Sequence, residues 1–338
     1  MTRQRWLASF AIILTLGVIT LGAYTRLTDA GLGCPDWPGC YGFLKVPQQD
    51  HHIAQAMQAF PERPVHAEKA WNEMIHRYFA ASLGLLIAFI FITSWWRSTE
   101  PRRPKLLPSL LLMLVVFQAA LGMWTVTLNL LPLVVMGHLL GGFCLLSLAA
   151  LYWLQQQPRL PAQPELVGLK PLASIAVIIL IGQIALGGWT AANYAALACI
   201  ELPVCEAGWW QRMDFAAAFD LHLGHDDYEY GVMSAEARQT VHVLHRFGAL
   251  ITFSVVALFL WQLWQRAVQP RMRKLTILAA VLLLGQFSLG LMNVVLHLPL
   301  VNAVAHNVVA ANLLMVLVLL LVQVPTVASA RSNYAESK

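Results

Sequence analysis

The stretch "QAALGMWTVTLNLLPLVVMGH" (118–138) returns later in the chain as "QFSLGLMNVVLHLPLVNAVAH" (286–306). In each copy an apolar run reaches a short leucine- and proline-containing turn, re-enters an apolar run, and meets a histidine a few residues in. Two more anchors extend the correspondence. "IHRYFAASLG" (75–84) aligns with "LHRFGALITF" (244–253), and "LGAYTRLTDAGLGCPDWPGC" (21–40) aligns with "LGGWTAANYAALACIELPVC" (186–205). Three anchors in one order make the chain an internal duplication.

The chain has 338 residues, 58% of them hydrophobic and only 12% charged, too little polar surface for a soluble globule. A helix needs about 20 apolar residues to cross a bilayer. Eight stretches qualify: 6–25, 72–96, 106–128, 132–154, 171–194, 239–264, 275–296 and 299–324. With both termini on one face, that face gathers Arg3, Arg5, Arg97, Arg102, Arg103, Lys105, Arg159, Lys170, Arg266, Arg271, Arg273, Lys274, Arg331 and Lys338, which marks it as cytoplasmic. Apart from Glu100, Glu165 and Glu336, the acids fall on the other face, mostly in two long loops, 26–71 and 195–238. Arg3 and Arg5 before an apolar run resemble a signal peptide, but the run is long and no small-x-small cleavage site follows, so a retained helix is expected.

Four helices per repeat is an even number, so both repeats enter the membrane in the same sense. The expected fold is an all-α polytopic membrane protein, with eight transmembrane helices arranged as two tandem four-helix bundles. A pseudo-two-fold axis along the membrane normal relates them. The polar stretch "QQQPRLPAQPELVGLK" (155–170) joins the bundles, dividing the chain into 1–160 and 161–338.

His76, His138, His245 and His306 lie five to seven residues inside their segments, all entered from the outer face, hence roughly 8–10 Å deep at 1.5 Å per residue. Ionisable side chains at such depth are costly and usually functional. Histidines from two facing helices can ligate one haem iron from opposite sides, so the four suggest two bis-histidine sites. A single such histidine more often bonds a neighbouring helix; repetition at equal depth favours haem.

Arg77 and Arg246 directly follow two of these histidines. They suit haem propionates and lipid headgroups equally well. Glu73 stands three residues before His76, on the same helix face, whereas its counterpart in the second repeat is His242. A carboxylate beside a haem edge can accept a proton or stabilise positive charge. The bland alternative is an acid in a first helical turn, favoured by the dipole.

Cys34 with Cys40, and Cys199 with Cys205, form two Cys-x5-Cys pairs at equivalent places in the outer loops. Each can close a disulfide in an oxidising compartment, as a structural or a redox-active pair; zinc binding fits this spacing and separation poorly. Cys144 reads as a packing residue. His222, His225, Asp226 and Asp227 form an acidic patch matching no strong metal motif, His51, His52 and His66 carry no specific signal, and His297, at the outer end of the seventh span, is expected to face the interface. Gly22, Gly122, Gly187 and Gly290 recur in Leu-Gly pairs and read as sites of close helix packing.

"RLTDAGLGCPDWPGCYG" (26–42), Glu73-x-x-His76-Arg77, His138, "HRFGA" (245–249) and His306 together resemble the haem A synthase family over nearly the whole chain. The proline-, Asp36- and Trp37-containing loop is the most specific part. The resemblance implies oxidation of the C8 methyl of haem O to a formyl group, giving haem A for terminal oxidases. It implies a resident haem b on His245 and His306, and haem O as substrate at His76 and His138 with Glu73 as a catalytic residue. The first cysteine pair would match the family's outer-loop disulfide. The longer second outer loop, 206–237, departs from compact members.

The expected setting is a bacterial inner membrane with both termini cytoplasmic. Membrane lipid is one expected partner. A haem O synthase, an electron-transfer protein and a second copy of the chain are candidate partners, and nucleic acid is not one. Two other classes use the same ligands or architecture: an electron-transfer cytochrome b and a haem transporter. Glu73, without a counterpart in the second repeat, argues against the first. The absence of clear Pro/Gly-broken helix pairs at midplane argues against the second.

Overall fold

The computed structural model describes residues 3–96, 105–158 and 163–326. The helices are α1 (Arg3–Leu27), α2 (Asp50–Ala59), α3 (Ala67–Trp96), α4 (Leu106–Thr127), α5 (Pro132–Gln155), α6 (Lys170–Ala192), α7 (Phe215–Phe219), α8 (Ala235–Arg266), α9 (Pro270–Val295) and α10 (Leu300–Gln323). All but α2 and α7 are long and apolar enough to cross a membrane, so eight spans stand among the described residues, with no strand. Helices are the expected form, because a lipid-exposed backbone must satisfy its own hydrogen bonds. Hydroxyls inside the spans do the same: Thr15, Ser147 and Thr276 each donate back to the carbonyl four residues earlier.

The first-repeat helices close on one another: α1 packs on α3 and α5, α3 on α4, and α4 on α5. In the second repeat α6 packs on α8 and α10, α8 on α9, and α9 on α10. Between the two sets, α1 and α5 meet α10, and α5 meets α6. Leu83, Ile87, Ile90, Leu111 and Leu145 fill the first core; Leu180, Phe259, Leu263, Leu313 and Leu317 fill the second. Ile12, Leu16 and Ile19 of α1 pack onto the second core and tie the sets together.

The basic ends share one face. Arg5 and Arg271 each lie 5.9 Å from the ring centre of Trp153, and the Lys170 ammonium donates to the carbonyls of Leu321 at 2.6 Å and Val324 at 3.2 Å. The expected positions Arg97, Arg102, Arg103, Arg159, Arg331 and Lys338 lie outside the described residues.

Four spans stop at the opposite face with the same turn. The amides of Ala30, Leu130, Ala195 and Leu298 reach back five residues to Thr25, Thr125, Thr190 and Asn293 at 2.7–2.9 Å. Asp29, Asn129, Tyr194 and His297 supply the left-handed residue just before, with φ of 45–56°. This is a Schellman closure without its usual glycine, and hydropathy gives no hint of it.

Helices α3 and α8 begin at Ala67 and Ala235, earlier than the expected 72 and 239. Hydropathy sees only what faces lipid, whereas the extra turns are polar and covered by the outer loops. The Gln239 amide donates to the Trp209 carbonyl at 2.9 Å, and the Thr240 hydroxyl accepts from Asp214 N–H at 2.9 Å. Gly33 sits so close to the first turn of α3 that a Cβ there would come within 2.5 Å of the Lys69 carbonyl. Only glycine allows that approach.

Candidate functional site

His76 on α3 and His138 on α5 face each other, ring centres 6.5 Å apart and planes at 86°. Two imidazoles bound to one metal at about 2 Å each, with ring centres roughly 1.2 Å further out, lie about 6.4 Å apart. The observed separation therefore fits two axial ligands of a single metal. Nδ1 of both rings is buried with no hydrogen bond of good geometry, its nearest acceptors being backbone groups of Val18 beside His76 and Gln118 beside His138.

His245 and His306 line one cavity of about 940 Å³, bounded also by Leu180, Ile184, Phe253, Leu283 and Phe287. That is the upper end of the usual range for a cofactor site, roughly 300–1,000 Å³, and its mostly apolar wall suits a porphyrin. The Gln183 amide lies 3.0 Å from His245 Nδ1 and donates to the His245 carbonyl at 2.9 Å; the Gln286 amide lies 3.1 Å from His306 Nε2. Both side chains pack directly against the imidazoles.

Sequence reasoning missed both glutamines, although a readable signal existed: an uncharged polar residue inside an apolar span. Gln286 and its repeat counterpart Gln118 even open the aligned stretches. Gln118 lies buried against Gly141, and Gln183 lies half-buried against Gly248.

The Leu-Gly glycines belong to this same layer. A Cβ on Gly22 would stand 2.9 Å from His76 Cε1, on Gly187 2.8 Å from His245 Cε1, on Gly290 3.2 Å from His306 Cε1, and on Gly122 3.4 Å from His138 Cε1. Each glycine makes room for one of the four imidazoles, a more specific task than the general helix packing expected of them.

Glu73 is 4% exposed and holds the outer loop to α3. Its Oε2 accepts from Cys34 N–H at 2.8 Å, and its Oε1 pairs with the Arg77 guanidinium. Arg77 donates further to the carbonyls of Asp36 at 2.8 Å and Gly39 at 2.5 Å, while the Asp36 carboxylate caps the amides of Tyr41 and Gly42. Cys34 and Cys40 are disulfide-bonded inside this clamp, as are Cys199 and Cys205 in the second loop.

The second loop repeats the plan with different chemistry. Cys199 N–H lies 3.2 Å from His242 Nδ1 and Arg246 Nε lies 3.3 Å from His242 Nε2, of which a neutral imidazole accepts only one; Arg246 also donates to the Glu201 carbonyl at 2.6 Å, to the Cys199 carbonyl at 2.5 Å and to the Val204 carbonyl. Propionates and headgroups were the two expected partners of Arg77 and Arg246. Loop carbonyls occupy most of their donors instead, although Arg246 also borders the cavity.

The 206–237 loop crosses to the first-repeat helices. Arg63 pairs with Asp227 at 2.8 Å and Glu229 at 3.2 Å, the Asn129 amide donates to the Asp226 carbonyl at 2.8 Å, and Tyr228 is buried against Leu32 and Leu130. Among the described residues the one His/Cys/Asp/Glu cluster with metal spacing is Cys199, Cys205 and Glu206, whose sulfurs form the disulfide; the His222–Asp227 patch does not gather. Cys144 is exposed on the surface of α5, where packing was expected.

Eight spans and two disulfide-closed loops, with histidines facing one another between helices, define a polytopic membrane protein. Residues 4–318 match the family model described as cytochrome oxidase assembly protein. The chain is 50% identical over 317 residues to the haem A synthase of Shewanella oneidensis, covering 93% of this chain and 94% of that one. It is 27% identical over 331 residues to the haem A synthase of Rhizorhabdus wittichii, covering 91% and 90%, and 22% identical over 319 residues to that of Halalkalibacterium halodurans, covering 92% and 94%. The chain belongs to the cytochrome oxidase assembly protein family that includes the haem A synthases.

Proposed function

We propose that this membrane oxidoreductase is a haem A synthase that oxidises the C8 methyl of haem O to the formyl group of haem A, for use in terminal oxidases. The observation that carries the reading is the meeting of His76 and His138 at 6.5 Å with a buried carboxylate, Glu73, one turn before His76. The second repeat has the neutral His242 at that place, so the two sites have different tasks. We assign haem O to His76 and His138, and a resident haem b to His245 and His306.

When bound, the resident haem supplies one-electron transfer. His245 and His306 would hold it, with Gln183 and Gln286 packed beside their rings. At the other site His76 and His138 fix the substrate iron, which sets the place of the methyl relative to the protein. Glu73 stands at the outer edge of that site, where its carboxyl group, paired with Arg77, stabilises positive charge or takes up a proton as the methyl is oxidised through two successive hydroxylations and loss of water. Arg77 and the Cys34 amide keep that carboxylate in place.

The repeat alignment and the parallel clamps at Glu73 and His242 support two bundles, 1–160 and 161–338, related by a pseudo-two-fold axis. The basic face supports cytoplasmic termini in a bacterial inner membrane. Both disulfides agree with outer loops in an oxidising compartment. The test is to supply haem O to the purified protein with reductant and oxygen, then identify extracted pigments by mass spectrometry. Conversion to haem A or a hydroxymethyl intermediate supports the reading; unchanged haem O beside haem b returns the protein to the electron-transfer cytochromes.

A further inference from the structure

We infer that Arg26, contributed by the first repeat, anchors the carboxylate edge of the porphyrin held by the second repeat. The inference rests on the assignment of a resident haem to His245 and His306.

The cavity bounded by those histidines is lined by two guanidinium groups, Arg26 and Arg246. A porphyrin entering it brings two propionate carboxylates that need cations or water, and charge-assisted bonds from arginine are the strongest answer. Arg246 follows a ligand in sequence, but it already serves His242 and the carbonyls of Cys199, Glu201 and Val204. Arg26 is far less engaged. One nitrogen donates to the Ala191 carbonyl at 2.7 Å, another stands 3.7 Å from the exposed Asp29 carboxylate, and Nε is buried with no partner. Its guanidinium carbon lies 4.0 Å from the ring centre of Tyr194, another cavity residue, so the group is stacked in place while keeping donors free.

Position adds a second argument. Arg26 aligns with Ala191 in the repeat, and the two residues touch: the outer ends of α1 and α6 meet where the helix sets join. The second-repeat site therefore gains a cation from across the seam. The repeat-equivalent position is an alanine, Ala191, which lines the same second-repeat cavity. A cofactor that stays benefits from such an anchor, whereas a substrate that must leave is better without it.

The test measures haem release from the full-length ferric protein in detergent to excess apomyoglobin, followed by absorbance. The protein is loaded with iron protoporphyrin IX or its dimethyl ester, and the second site is read as the component absent in His306→Ala. A charge-assisted hydrogen bond is worth about 1.5–3 kcal/mol, so Arg26→Gln should speed release of the free-acid haem about tenfold or more. The ester should leave wild type as fast as it leaves the variant, and Arg26→Lys should restore part of the retention. Should Arg26→Gln fail to fold, faster release of ester than of free acid from wild type, together with Arg26→Lys, carries the test. Equal release of the free acid from wild type and Arg26→Gln, or equal acceleration of acid and ester, overturns the inference. A wild-type protein with no His306-dependent haem overturns the underlying assignment instead.

Discussion

The amide of Cys34 donates to Glu73 Oε2 at 2.8 Å, so the disulfide loop and the carboxylate proposed for catalysis form one unit. Arg77 closes it from the other side, joining Oε1 to the carbonyls of Asp36 and Gly39. The carboxylate thus sits in a rigid cradle made by residues far apart in the chain. Rigid placement matters because charge stabilisation works only when the group is already oriented.

Glu73→Gln keeps the size of the side chain and removes its charge. Haem A production at matched protein levels should fall on the order of a hundredfold or more, while the resident haem spectrum persists. Haem O or a hydroxymethyl product should accumulate in extracted pigment. Undiminished haem A yield would reduce Glu73 to a fastener of the loop.

The glycines facing the imidazoles give a contrast within one helix. Gly22→Ala drives a methyl to 2.9 Å from His76 Cε1, whereas Gly17 has no atom within 4 Å of an added Cβ. Overpacking of this kind costs about 1–3 kcal/mol. Gly22→Ala should weaken binding of added haem O by tenfold or more in a spectral titration, and Gly17→Ala should leave it unchanged. Equal behaviour of the two variants would detach the glycines from the haem site.

Magnitudes also decide which contact holds the second outer loop across the first-repeat helices. The Arg63 pairs with Asp227 and Glu229 are partly exposed, and such pairs contribute about 1 kcal/mol or less. Tyr228 is 4% exposed, and truncating a buried large aromatic costs about 3–5 kcal/mol. Limited proteolysis from the outer side should therefore cut 220–232 much faster in Tyr228→Ala than in Arg63→Ala. The reverse order would make the ion pairs the fastening.

What the sequence shows and what it hides follow the range of the forces involved. The spans are legible because lipid imposes a long, continuous apolar run, and the Cys-x5-Cys pairs because a short loop admits few alternatives. The early starts of α3 and α8 are hidden, since Glu68 and Glu236 look like loop residues until the loops that cover them are placed. The task of Arg77 depends on carbonyls 38–41 residues away, and the position of Tyr228 on contacts about 100 and about 200 residues away; neither leaves a local pattern. Gln183 and Gln286 were readable as polar residues at histidine depth, yet only the structure sets their amides against the rings.

Each Cys-x5-Cys disulfide closes a short loop and should contribute about 2 kcal/mol by constraining the unfolded chain. Cys199→Ser with Cys205→Ser should lower the thermal transition of the detergent-solubilised protein without abolishing haem A formation, because His242 and Arg246 still grip the loop. Cys34→Ser with Cys40→Ser should reduce activity more than stability, since it loosens the donor to Glu73. Equal effects of the two double variants on activity would argue that the first loop holds nothing of catalytic value.

The central claim is the division of labour between the two histidine pairs, and pigment analysis of single-ligand variants tests it most directly. Protein purified from membranes carrying His306→Ala should lack extractable haem b and its bis-histidine spectrum, whereas His138→Ala should retain both and fail to convert haem O. Loss of haem b in His138→Ala with retention in His306→Ala, or retention of the full spectrum in both, would contradict the account.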